Sequence, residues 1–174
     1  MKKLTILLVA VALLGLTVGL MAADHQVNVV VSGFNVIAVN GSTVTLTIVA
    51  PTSAGDASAP VTDNTTYLQY SSIRASSNGK VTGAISAGTM PAGVSLAVTA
   101  ATPGSGGAGT KGSTNNKQTL TASSADLITG IGSCWTNTGG GNNGSQLTYE
   151  LSVSSWASVV PASSTAITVT YTLL

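Results

Sequence analysis

The chain has 174 residues, 6% of them charged, 4% aromatic and 44% hydrophobic, with one cysteine, one histidine and a formal net charge of +1. Two of its six basic residues stand at positions 2 and 3 and the other four are scattered, which excludes the clustered Lys and Arg that nucleic acid or an anionic membrane requires. Low charge with abundant Thr and Val points to a β-rich protein whose surface is made polar by Ser, Thr, Asn and Gly, and charge this sparse gives little protection against association.

Lys2 and Lys3, the apolar run over 4–20 and the small residues Ala22 and Ala23 read as a secretory signal peptide over 1–23. An uncleaved anchor competes, because the run approaches the ~20 residues that span a bilayer. The small residues stand where a signal peptidase would cut, and this favours cleavage. No Cys follows the cut, which excludes a lipoprotein. The expected product is one domain over 24–174, without a membrane span, secreted through the periplasm to the cell surface or an extracellular filament.

That domain opens with "QVNVVVSG", read as a strand over 26–31 with Val27, Val29 and Val31 on one face. "FNVIAV" and "STVTLTIV" follow, joined by Asn40-Gly41, the dipeptide that best serves a type I′ hairpin. In the second run Val44, Leu46 and Ile48 face one way and Thr43, Thr45 and Thr47 the other. "PTSAGDASAPVTD" is a loop by composition. "TYLQYSSI" and "KVTGAIS" flank a turn at Asn78-Gly79, and "VSLAVTAA" places Val94, Leu96 and Val98 together. The segment 102–117 is expected to be exposed and mobile, too polar and glycine-rich to pack. "QTLTA", "DLITGI" and a second glycine-rich stretch, "TGGGNNG", come next. Two alternating segments close the chain: Leu147, Tyr149, Leu151 and Val153 share one face of the first, and Ile167, Val169, Tyr171 and Leu173 one face of the second. About eight to ten strands at this spacing predict an all-β fold, an Ig-like antiparallel β-sandwich.

Catalytic chemistry finds little to work with. The one His, His25, lies beside the cleavage site, Cys134 has no second His to activate it, and the five carboxylates are scattered. Glycoside hydrolysis would need the fold to bring two of them together, for instance Asp63 and Asp126. "GSGGAGTKG" lacks phosphate-loop spacing, since Gly112 follows Lys111. Cys134 reads as a small buried apolar residue beside Trp135, with a thiol that forms an intersubunit disulfide or a covalent attachment as the alternative. Cleavage after Ala22 would create an amino-terminal Cu(II) or Ni(II) motif at His25, and cleavage after Ala23 would destroy it. No enzyme activity, metal or cofactor is assigned.

The layout of signal peptide, N-terminal "QVNVVVSG", Ig-like run of strands and C-terminal "STAITVTYTLL" resembles bacterial fimbrial subunits of the chaperone–usher kind. It is most similar to the alternate class without disulfides and to the spore-coat-U-like secreted sandwiches. The resemblance implies a non-catalytic structural subunit with an incomplete sandwich, whose missing strand comes in trans from the next subunit's N-terminal extension. Val27, Val29 and Val31 would be the donated positions, and Ile167, Val169, Tyr171 and Leu173 would line the acceptor edge. The implied partners are copies of the same or related subunits, with a periplasmic chaperone and usher. The chain departs from the best-known class in lacking a cysteine pair. Only Ser32-Gly33 separates the extension from "FNVIAV", so pairing in cis stays open, as does a self-complete sandwich that binds a glycan or surface ligand through its loops.

Overall fold

The computed structural model of the chain describes residues 25–138, 143–163 and 165–174. The expected signal peptide over 1–23 lies outside the described residues, as does the centre of the second glycine-rich stretch. The chain divides into two units, Met1–Val31 and Ser32–Leu174. In the first, the described residues 25–31 form no strand, contrary to the reading of 26–31, because no other described segment offers them a ladder.

The second unit is an all-β, antiparallel sandwich. Its strands are β1 (Phe34–Asn40), β2 (Val61–Ile73), β3 (Gly79–Ala87), β4 (Val94–Ala100), β5 (Ala108–Gly109), β6 (Ser113–Thr114), β7 (Gln118–Thr119), β8 (Ala125–Ile131), β9 (Cys134–Trp135), β10 (Ser145–Val153) and β11 (Thr168–Leu173). One sheet runs β5-β9-β2-β10-β4-β7, with β1 on the other side of β2; the second runs β11-β3-β8-β6. Period-2 alternation turns Leu68 and Tyr70 of β2, Val98 of β4, and Leu147 and Tyr149 of β10 inward. They join Val81 of β3, Leu127, Ile128 and Ile131 of β8 and Leu173 of β11 in one apolar cluster. Each aliphatic side chain buried in full contributes about 1.5–3 kcal/mol, and the cluster holds the two sheets face to face.

β-Bulges adjust this alternation. In β8, Val81 faces Ile128 while Thr82 faces Asp126, so Leu127 is the extra residue and both Leu127 and Ile128 turn inward. In β2, Leu147 faces Thr66 while Tyr149 faces Asp63, so one residue is extra around Asn64-Thr65. Asp63 caps this second bulge, its Oδ1 accepting from the Thr65 N–H at 3.0 Å and from the Thr65 hydroxyl at 2.8 Å.

Two expectations fail inside the sandwich. The Asn40-Gly41 hairpin does not form. β1 pairs instead with β2, from Phe34 opposite Ile73 to Asn40 opposite Tyr67. A type I′ turn needs positive φ at both central residues. Gly41 is at φ 143°, but Asn40 is not in the positive region. The chain therefore runs straight past, with Gly41 so close to β2 that a Cβ there would stand 3.1 Å from the Thr66 Cα. Residues 42–50 keep the predicted faces, with Val44, Leu46 and Ile48 half-buried between exposed threonines, yet belong to no strand.

The segment 102–117, expected to stay unpacked, is also pinned to the body. It supplies β5 and β6, which pair with β9 and β8. Lys111 donates its Nζ to the carbonyls of Gly104 and Gly106, and its own carbonyl accepts from the Tyr70 hydroxyl. Glycine here permits close approach rather than freedom. At Gly107, with φ 79°, a Cβ would sit 1.9 Å from the Trp135 carbonyl oxygen.

Candidate assembly surface

The N-terminal segment carries the largest apolar exposure. Val27, Val29, Val30 and Val31 are 68%, 80%, 87% and 72% exposed. Among the described residues, none of 25–33 makes a backbone hydrogen bond to another segment. Four aliphatic side chains within five residues of unpaired backbone are the elements of a strand without a sheet.

The other predicted interface residues lie at the far end of the sequence. Val169, Tyr171 and Leu173 alternate along β11 with the exposed Thr168, Thr170 and Thr172, and Ile167 stands just before the strand. Ile167, Val169 and Tyr171 are half-buried against the core and Leu173 is buried. Their faces are those read from the sequence, but their inward sides serve the chain's own core. What β11 leaves open is its backbone: it pairs with β3 on one side, and no described strand pairs with its other edge. β1, the edge of the opposite sheet, runs beside β11 without a ladder between them. Beyond Tyr67 the β1 ladder ends, so residues 61–66 of β2 pair with β10 alone. The N-terminal valines and the β11 residues thus fall in the two separate units.

A phenol pair ties β11 to the opposite sheet. Tyr171 and Tyr149 share a hydrogen bond of 2.7 Å between their hydroxyls. Burial pushes both phenols above the usual tyrosine range; the Tyr149 charge adds to the rise at Tyr171, while the hydrogen bond from Tyr171 offsets part of it at Tyr149. At the other end of β11, Arg74 forms a clasp. Its guanidinium donates Nη1 to the Leu174 carbonyl oxygen at 2.9 Å, Nη2 to Asn35 Oδ1 at 2.7 Å and Nε to Ser72 Oγ at 2.8 Å. It lies flat over Gly79, where a Cβ would be 2.0 Å from Nη1. One side chain therefore joins the ends of β1, β2, β3 and β11. Sequence reasoning passed over Arg74, Asn35 and the phenol pair. The only signal was that Arg74 is the sole arginine of the chain and follows directly on a long strand.

Cys134 is buried, as expected, and unpaired. Burial pushes its thiol up, with Arg74 and Lys111 opposing the shift. Asp63 serves the β2 bulge, whereas Asp126 forms a half-exposed ion pair with Lys80 at 2.9 Å, so the two carboxylates considered for hydrolysis have separate structural partners. His25 is exposed. Among the described residues no three His, Cys, Asp or Glu side chains gather to hold a metal, and no helix is long and apolar enough to cross a membrane. Compared with known proteins, the chain matches no family model, no curated protein and no solved structure.

Proposed function

We propose that this chain is a non-catalytic structural subunit of a bacterial surface filament, fimbria or coat, assembled by donation of a β-strand from one copy to the next. The observation that carries this reading is the pairing of opposites in one chain. Val27, Val29 and Val31 stand exposed on unpaired backbone, while β11 leaves an edge open. A strand added to an open edge gains backbone hydrogen bonds along its length, and its alternate side chains find pockets. The donor would come from the N-terminal segment of a neighbouring copy, with Ile167, Val169, Tyr171 and Leu173 on the receiving side. Export to the cell surface, with a periplasmic chaperone and usher as assembly partners, belongs to the same proposal.

The test compares Val29→Asp with Val30→Asp by electron microscopy, with circular dichroism to establish folding. Val29→Asp should abolish polymer, because a carboxylate would have to lose its water in an apolar seat. Val30→Asp, on the opposite face, should polymerise like the parent. Equal behaviour of two folded variants refutes donation.

One observation favours a second reading, a self-complete domain that binds a glycan. Trp135 and Phe34 are 49% and 47% exposed, and register puts Val36, Ser71, Trp135 and Ala108 in one row across the outer sheet face. A monomer whose Trp fluorescence changes on addition of neutral oligosaccharides would support it.

A further inference from the structure

The segment 42–50 is the least ordinary part of the sandwich. It reads as a strand by every local measure: β-branched residues dominate, aliphatic and hydroxyl side chains alternate, and Val44, Leu46 and Ile48 are half-buried between exposed neighbours. Val44 and Leu46 pack against the core cluster. Yet among the described residues none of 42–50 gives or accepts a backbone hydrogen bond with another segment. A strand normally gains on two accounts, side-chain burial and a ladder. This one has the first without the second.

Its surroundings lack the same thing. The β1 ladder stops at Asn40 opposite Tyr67, and the chain leaves β2 at Gly41. The side of residues 61–66 of β2 turned away from β10 has no ladder, and the Thr65 N–H is satisfied by the Asp63 side chain instead of a neighbouring strand. The Thr66 hydroxyl beside Gly41 is buried without a partner. Unpaired edge, unpaired strand and orphaned hydroxyl meet where β1 ends.

We infer that 42–50 is a placeholder: it covers the apolar seat of an incoming strand from a second copy of this chain, and is displaced when that strand arrives. The occupant is the segment around Val27, Val29 and Val31, which repeats the aliphatic alternation of Val44, Leu46 and Ile48 and is itself unpaired. The incoming strand wins because it fills the same apolar positions and adds backbone bonds that 42–50 does not make. Gly41, already at a φ only glycine adopts without strain, is the hinge. The device keeps the seat dry in the lone subunit and sets a threshold for assembly. The inference rests on the strand-donation reading proposed above and moves the receiving edge from β11 to residues 61–66 of β2, which lack a ladder beside Gly41.

The test uses the full secreted chain carrying Val29→Asp, which stops it donating its own strand, and a fluorescein-labelled peptide of residues 24–33. Leu46→Ser weakens the placeholder and should tighten peptide binding about tenfold, the equivalent of 1.4 kcal/mol. Val44→Thr, close in shape and safe for folding, should tighten it by about threefold. Hydrogen exchange at the amides of 43–49 should stay fast when peptide saturates the chain, because the displaced segment gains no ladder. Peptide that fails to bind any variant refutes strand donation itself. Peptide that binds, but no tighter or more weakly after Leu46→Ser and Val44→Thr, or that protects 43–49, leaves donation standing and overturns the placeholder: 42–50 is then part of the receiving sheet.

Discussion

Replacing Gly107 by Ala tests whether the glycine-rich segment 102–117 is structure or slack. Two costs separate cleanly. At φ 79° an alanine pays the left-handed penalty of about 1–2 kcal/mol. Its Cβ would also stand 1.9 Å from the Trp135 carbonyl oxygen and 2.8 Å from the carbonyl carbon, both backbone atoms that no rotamer change can move. Relief requires β5 to lift from β9, loosening the pairs Ala108 with Trp135 and Gly109 with Cys134 and the bond of 3.2 Å from the Thr110 N–H to Ser133. A forced backbone shift of this kind costs about 1–3 kcal/mol more. Gly130 is the matched control, with φ 72° and nothing within 4 Å of an added Cβ, so Gly130→Ala carries the conformational penalty alone. In a domain of this size about 1 kcal/mol moves Tm by roughly 2–4 °C. Gly107→Ala should therefore melt about 10 °C below the parent and Gly130→Ala about 4 °C below it, followed by near-ultraviolet circular dichroism and by Trp fluorescence. Equal melting of the two variants would refute the close approach, and a Gly107→Ala chain that melts like the parent would show the segment to be free after all.

Three further outcomes follow from the interior. Burial raises the thiol of Cys134 and the phenols of Tyr70, Tyr149 and Tyr171 when the chain is folded; the unfolded chain sheds the thiol proton from about pH 8.5 and the phenol protons from about pH 10 while the folded chain keeps them, so stability begins to fall near pH 8.5 and falls more steeply above pH 10, by at most about 1.4 kcal/mol per pH unit per group. Urea midpoints measured from about pH 8 to 11 check this slope, and a flat profile above pH 10 would contradict it. Thr136→Val removes the hydroxyl that accepts from the Tyr70 N–H at 3.0 Å and donates to the Tyr70 carbonyl at 3.2 Å; a loss of about 1–3 kcal/mol is expected in the same urea assay. Leu173→Asp should abolish folding because an unpaired charge enters the core, while Thr172→Asp on the exposed face should shift Tm by a few degrees at most, and similar melting curves would mean that the faces of β11 are misassigned.

Strand faces were legible in the sequence wherever alternation was undisturbed. Leu147 and Tyr149 of β10, and Val169, Tyr171 and Leu173 of β11, point inward as period 2 requires. Even Val44, Leu46 and Ile48 turn inward as read, though their segment joins no sheet. Pairing was less legible than facing. Asn40-Gly41 promised a local turn, but the thirteen-residue β2 offered β1 a longer partner, and nothing in a local window reveals a competitor some thirty residues away. Gly107 was misread for a different reason: a glycine that lets two backbones touch and a glycine in a free linker have the same one-letter code, and only the Trp135 carbonyl tells them apart. Arg74 has no sequence signature, since its partners Asn35 and Leu174 are separated from it by 39 and 100 positions.

Those separations bear on how the chain reaches its native state. The Arg74 clasp needs Asn35, Gly79 and Leu174 in place together, so it closes only after segments as far apart as residues 35 and 174 have been brought together. Chains dominated by such distant partners fold slowly, because each closure costs loop entropy before the contact returns anything. Until β11 docks, β3 has a bare edge and the core lacks Leu173. A newly made molecule therefore passes through an interval in which the β3 edge is open, and the rate at which β11 arrives sets how long a foreign strand could compete for it.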